Sequence, residues 1–187
     1  MKKKRIYSFI MFFAFILFTA GSCEKEDEDP QLPPVTQTGE DTFGCLVNGD
    51  IWLPELVIAF PTQPRVSAKL VREFGYRMWE IGANQGAESS FYFGIHEDSL
   101  KVGKVNISTD EVYGRGIGLH YFSKNYEMTS FAWQKGLPVQ FTITKLDTVN
   151  KIVSGIFSFD AINMSNDTVK ITDGRFDIKI DRIDPIQ

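Results

Sequence analysis

Val169-Lys170-Ile171-Thr172-Asp173-Gly174-Arg175-Phe176-Asp177-Ile178-Lys179-Ile180 is the stretch that decides the fold of this chain. Its second half alternates without a break, Phe176, Ile178 and Ile180 against Arg175, Asp177 and Lys179. That two-residue period belongs to a strand with one dry face and one wet face. Asp173-Gly174 is a turn signal, so the stretch predicts a hairpin with Val169–Thr172 as one arm and Arg175–Ile180 as the other. A cation-binding loop would need a longer series of oxygen ligands than Asp173-Gly174 supplies.

The same pattern recurs upstream. Thr42–Val47 and Ile51–Leu53 flank Asn48-Gly49-Asp50, the strongest hairpin signal in the chain, because Asn-Gly favours the type I′ turn that matches strand twist. Lys69–Ile81 contains Leu70, Val71, Phe74, Tyr76, Met78, Trp79 and Ile81, and Phe74, Tyr76 and Met78 alternate within it. Gly82–Glu88 reads as a turn, Ser90–Ile95 as an aromatic strand, and Lys101–Ile107 as a weakly alternating one. Leu119–Trp133 reads as two strands around a Lys124-Asn125 turn. Val139–Ile143 alternates, and Ile152–Ala161 is a strand whose phase is ambiguous at Ile156. No window long enough for a helix, about 11 residues, carries an apolar stripe bounded by caps. The expected fold is all-β, an antiparallel β-sandwich, with an up-and-down or calycin-like β-barrel as the alternative.

Ahead of these strands the chain changes character. Lys2, Lys3, Lys4 and Arg5 precede an apolar run, Ile6–Ala20, that is too short to span a membrane and has the form of an export signal. Ala20-Gly21-Ser22-Cys23 resembles a bacterial lipobox, which implies cleavage before Cys23 and acylation of its thiol. The reading is residues 1–22 as lipoprotein signal peptide, 23–40 as acidic tether and Pro-containing linker, and 41–187 as a single all-β domain. Loss of the four basic residues takes the formal charge from −4 to −8. So acidic a balance argues against nucleic acid, whose binding depends on Lys and Arg. Cys45 is then left without an intramolecular partner, and its strand-like setting predicts a buried, inert thiol.

Three features together resemble the uncharacterised lipoproteins of Bacteroidota. One is the lipobox followed by Lys25-Glu26-Asp27, similar to the acidic tether that sends such proteins to the cell surface. The second is Leu32–Gly49 with Trp52 just beyond it. The third is Gly155-Ile156-Phe157-Ser158-Phe159 with Ile171–Asp177. The resemblance implies an outer-membrane, lipid-anchored, surface-facing location (the periplasmic face being the alternative) and carries over no activity. Asp98-Ser99-Leu100, Asp147-Thr148-Val149 and Asp167-Thr168-Val169 resemble the O-glycosylation motif of the same bacteria, which marks Ser99, Thr148 and Thr168.

No motif carries catalytic chemistry. Glu73, Glu80, Glu97, Asp98, Asp110 and Glu111 are candidates for the paired carboxylates of a glycan hydrolase, but no spacing selects two of them. Gly-x-Ser-x-Gly is absent, and His96 and His120 lack the spacing of a zinc site. Gly114-Arg115-Gly116-Ile117-Gly118 lacks the flanking elements of a phosphate loop. No metal, no cofactor and no enzymatic activity are expected. The aromatic residues supply flat faces for a glycan or protein partner, with Tyr121, Tyr126 and Trp133 as the candidates. The expected function is a membrane-anchored, non-catalytic binding or accessory lipoprotein for a glycan, a peptide or an envelope protein. The alternatives are a structural, protein-interaction domain of the envelope and a hydrolase with paired carboxylates.

Overall fold

The computed structural model of the chain describes residues 31–56, 64–73, 76–86, 88–107, 118–123 and 129–185. Among the described residues twelve strands join in one sheet: β1 (Thr42–Val47), β2 (Asp50–Trp52), β3 (Val66–Glu73), β4 (Tyr76–Gln85), β5 (Ser89–His96), β6 (Gly103–Lys104), β7 (Gly118–Ser123), β8 (Thr129–Ala132), β9 (Val139–Asp147), β10 (Ile152–Ile162), β11 (Thr168–Lys179) and β12 (Arg182–Ile183). Ten of them follow the order β12-β3-β4-β5-β7-β8-β10-β11-β1-β2, while β9 lies on β10 and β6 on β9. All pairings between these strands are antiparallel except that of β12 with β3. The all-β expectation holds. The architecture is a single curled, open sheet, a half-barrel, in place of the expected two-sheet sandwich or closed barrel.

Curling brings distant strands into contact. β1 and β5 are separated in the sheet by four strands, yet the rings of Phe43 and Phe91 lie 5.4 Å apart. Phe157 on β10 sits 5.3 Å from Phe43 and 4.9 Å from Phe93. Phe141 and Phe176 extend the cluster. Each such side chain contributes about 1.5–3 kcal/mol by burial, with about 0.5–1.5 kcal/mol more for each well-placed ring pair. The chain itself bridges the opening on one side. Just past β11, Asp181 N–H donates to Ala68 O of β3 at 2.8 Å, and Asp184 N–H to Leu70 O at 2.9 Å.

The N-terminal hairpin forms as the sequence predicts. Cys45 faces Trp52 and Val47 faces Asp50, with Asn48 at φ 54° and Gly49 at φ 95°. A type I′ turn requires positive φ at both central residues, which Asn and Gly tolerate best. Cys45 is fully buried, and that burial pushes its thiol pKa well up.

The second predicted hairpin does not exist. Thr168–Lys179 is one uninterrupted strand, and Asp173 (φ 52°) is a β-bulge inside it. The pairing slips there against both neighbours, between Phe157 and Phe159 on β10 and between Gly44 and Leu46 on β1. Val169 and Ile171 point inward before the bulge, Gly174, Phe176 and Ile178 after it, so one extra residue changes the phase. Gly174 is needed for room and not for a turn: a Cβ there would lie 2.4 Å from the Phe157 ring. Gly155 serves Phe176 in the same way on the adjacent strand, at 2.6 Å.

Three smaller expectations also change. Gly82–Gln85 belongs to β4 and not to a turn, because Gly82 and Ala83 pair with Tyr92 and Phe91. Of Lys101–Ile107 only Gly103–Lys104 is strand, held to the edge of β9. Ile156 resolves outward, leaving Phe157 and Phe159 in the core. Phe74, the Lys124-Asn125 turn and Gly114–Ile117 lie outside the described residues.

Ten residues assigned by sequence to the linker belong with the sheet: the compact unit runs from Gln31 to Gln187. Residues 31–40 form a strap: Leu32 and Pro33 pack over Gly44, and Thr36–Glu40 cross to Asp177. Asp177 is 1% exposed. Its carboxylate accepts from Thr36 Oγ1 (2.7 Å), Thr38 N (2.9 Å), Gly39 N (2.9 Å), Glu40 N (3.2 Å) and Ser154 Oγ (2.7 Å). Successive backbone N–H groups wrapped round one anion form a nest. Burial alone would raise the Asp177 pKa. The bonds from Ser154, Thr36, Gly39 and Thr38 outweigh it and hold the pKa at about 2.

Candidate functional site on the outer sheet face

Two of the three aromatic candidates named from sequence, Tyr121 and Trp133, are core residues. Tyr121 is 7% exposed and Trp133 is 8% exposed, with Trp133 Nε1 donating to Leu137 O at 3.0 Å. Trp52 and Trp79 are buried as well, and Trp52 Nε1 donates to Ser89 Oγ at 2.7 Å. Tyr126 lies outside the described residues, as do Cys23, Lys25, Glu26 and Asp27. The idea of an exposed strip built on Tyr121 and Trp133 is therefore corrected, and the cause is phase. On β7 the inward set is Leu119, Tyr121 and Ser123, so the outward set is His120 and Phe122. One residue of offset exchanges the two faces.

The outward set makes its own strip. On β5, Phe91, Phe93 and Ile95 fill the core and Tyr92 and His96 face out. Register places Tyr92 opposite His120 and Ser90 opposite Phe122. The rings of His120 and Phe122 are nearly parallel, 6.0 Å apart at 15°, and those of Tyr92 and His120 are 6.3 Å apart. Phe122 is 36% exposed. Tyr92 Oη donates to Glu80 Oε1 at 3.2 Å. Farther along the face, Tyr76 packs edge-on to His96 at 5.7 Å. Partial burial lowers the His120 pKa, so at neutral pH the imidazole is uncharged, with one nitrogen donating and one accepting. An apolar ring, an imidazole, a phenol and a carboxylate thus share one sheet surface.

The carboxylate candidates that the structure describes each have a separate setting. Glu80 is engaged by Tyr92, Glu97 Oε1 lies 2.8 Å from Arg77 Nη1, and Asp98 is exposed. The side chains of Glu73, Asp110 and Glu111 lie outside the described residues. Among the described residues, no group of three or more His, Cys, Asp or Glu is placed to hold a metal ion. Ser99, Thr148 and Thr168 are all exposed. Two of the preceding aspartates have local roles: Asp147 accepts from Val149 N and Asn150 N, and Asp167 from Asn163 Nδ2.

Tyr92, His120 and Phe122 went unselected by sequence reasoning. The signal for Tyr92 was present in the flanking Phe91, Phe93 and Ile95, which claim the inner face. For His120 and Phe122 the signal was weaker, since Tyr121 and Phe122 are both aromatic. Comparison of the chain with protein-family models, with curated proteins and with solved structures gives no match.

Proposed function

We infer that this chain is an exported, non-catalytic binding lipoprotein, anchored through Cys23 in the outer membrane, that presents the Tyr92–His120–Phe122 face to a saccharide. The observation that carries the binding reading is this outward aromatic strip with Glu80 beside it. Flat rings cover the apolar C–H face of a sugar, while the imidazole, phenol and carboxylate exchange hydrogen bonds with its hydroxyls. A rigid sheet costs little ordering entropy on binding. The anchor and the surface-export role of Lys25-Glu26-Asp27 rest on sequence pattern.

Titration of the purified chain with neutral soluble polysaccharides tests the reading. Saturable binding that falls about tenfold or more in Phe122→Ala, for a loss of about 1.4 kcal/mol, is the expected result. Binding to none of them, or binding indifferent to Phe122→Ala and Tyr92→Ala, would overturn it. Palmitate labelling that persists in Cys23→Ala would remove the anchor.

A further inference from the structure

A second recess lies beside the strap on the outer face of β9–β11, formed by residues that take no part in the aromatic strip. It is a groove of about 270 Å³, smaller than the usual pocket for a drug-sized ligand. Its apolar lining comes from Val35 on the strap, 57% exposed, and Ile156 on β10, 41% exposed. Thr142 and Ser158 add hydroxyls, and β11 adds Asp173 and Arg175.

Among the described residues neither charge has an ion-pair partner. Arg175 Nε donates to Asp173 O at 3.0 Å and Nη1 to Pro33 O at 3.4 Å. These bonds to neutral carbonyls hold the guanidinium between bulge and strap, with no carboxylate paired to it among the described residues. Asp173 is exposed, on a residue held at φ 52°. Among the described residues its carboxylate meets no cation, and the two side chains form no ion pair with each other. Bulges recur beside binding sites because they re-aim a side chain. Asp173 would repel a purely anionic ligand, and Arg175 a purely cationic one. A ligand carrying both charges on a small aliphatic body complements all three features.

We propose that the strap groove binds an aliphatic α-amino acid or the corresponding unblocked peptide, its carboxylate on Arg175, its ammonium on Asp173 and its side chain against Val35 and Ile156. Because the strap supplies Val35, the site is complete only while Asp177 holds the strap down, and ligand and strap stabilise each other.

Calorimetric titration of the full chain with L-leucine, leucyl-leucine, N-acetyl-leucine and leucinamide tests this. Saturable binding of leucine or the dipeptide is expected, and whichever is tighter identifies the source. N-acetyl-leucine and leucinamide, each lacking one charge, should bind at least tenfold more weakly. Arg175→Gln should weaken binding about 10- to 100-fold, the range for a charged hydrogen bond. Ile156→Thr and Val35→Ser, at exposed positions that tolerate change, should weaken it without unfolding the chain. Phe122→Ala should have no effect, which separates this site from the saccharide face. No saturable binding of any of the four, equal binding of all four, or indifference to Arg175→Gln and Ile156→Thr would each overturn the proposal.

Discussion

Replacing Asp177 by Asn removes one charge and nothing else in volume, and it should be among the costliest single changes in the domain. The carboxylate holds its pKa at about 2 against an ordinary 3.8. At 1.36 kcal/mol per unit that difference makes the ionised form worth about 2.5 kcal/mol to the fold. Asn keeps one acceptor oxygen but turns an NH₂ group toward donors from Ser154, Thr36 and the strap backbone. Leaving buried donors unpaired adds to the loss, for a total of about 3–5 kcal/mol. In a domain of this size that lowers Tm by about 10 °C. The pH dependence has a definite sign. The folded pKa is depressed, so the contribution is complete above about pH 5 and fades as pH falls through 3.8 toward 2. Unfolding curves of wild type and Asp177→Asn should therefore differ at pH 7 and converge near pH 2. Hydrogen exchange supplies a local readout: the amides of Thr38, Gly39 and Glu40 should be protected in the wild type and exposed to exchange in the variant. Equal stability at pH 7 together with unchanged protection of those three amides would refute the role given to this carboxylate.

Gly174→Ala places a Cβ 2.4 Å from the Phe157 ring and should cost about 1–3 kcal/mol by overpacking, measured by urea unfolding; a neutral result would mean the bulge packs differently. Gly49→Ala, at φ 95°, should lose about 1–2 kcal/mol to left-handed strain alone, without altering the melting cooperativity. Cys45 should resist a thiol reagent in the native chain and react once it is unfolded in urea, since burial both shields it and suppresses the thiolate. Ser99, Thr148 and Thr168, proposed as O-glycosylation sites, should carry added mass in protein from its native cell, each increment disappearing with the matching Ala variant.

Alternation was legible wherever a strand had one face in the core. Phe176, Ile178 and Ile180 were readable as an inner face because Arg175, Asp177 and Lys179 are polar. What failed was the meaning of Asp173-Gly174. The pair suits a turn, and it equally suits a bulge with positive φ followed by a residue lacking a Cβ. The choice between them is made by the Phe157 ring on another strand, which no local window contains. The same limit applies to the site. Tyr121 and Phe122 are both aromatic, and only the pairing of Tyr92 with His120 fixes which of them faces out. Asp177 looked like an ordinary solvated charge because its partners, Thr36 to Glu40, lie some 140 positions away in sequence. The curl of the sheet is equally nonlocal: strand periodicity records which face is dry, not whether the sheet splits in two, closes or stays open.

The strap also sets how the domain answers to tension. Tension applied on the N-terminal side of Gln31, as the proposed Cys23 anchor would apply it, reaches the strap before it reaches β1. The bonds to Asp177 and the packing of Pro33 on Gly44 would yield first. Their release pays out ten residues, about 35 Å of extended chain. Only then would force fall on β1, which is gripped on both edges by β2 and β11. Under the proposed anchoring the strap would thus be a length of slack, held by a single carboxylate, that takes up tension ahead of the sheet.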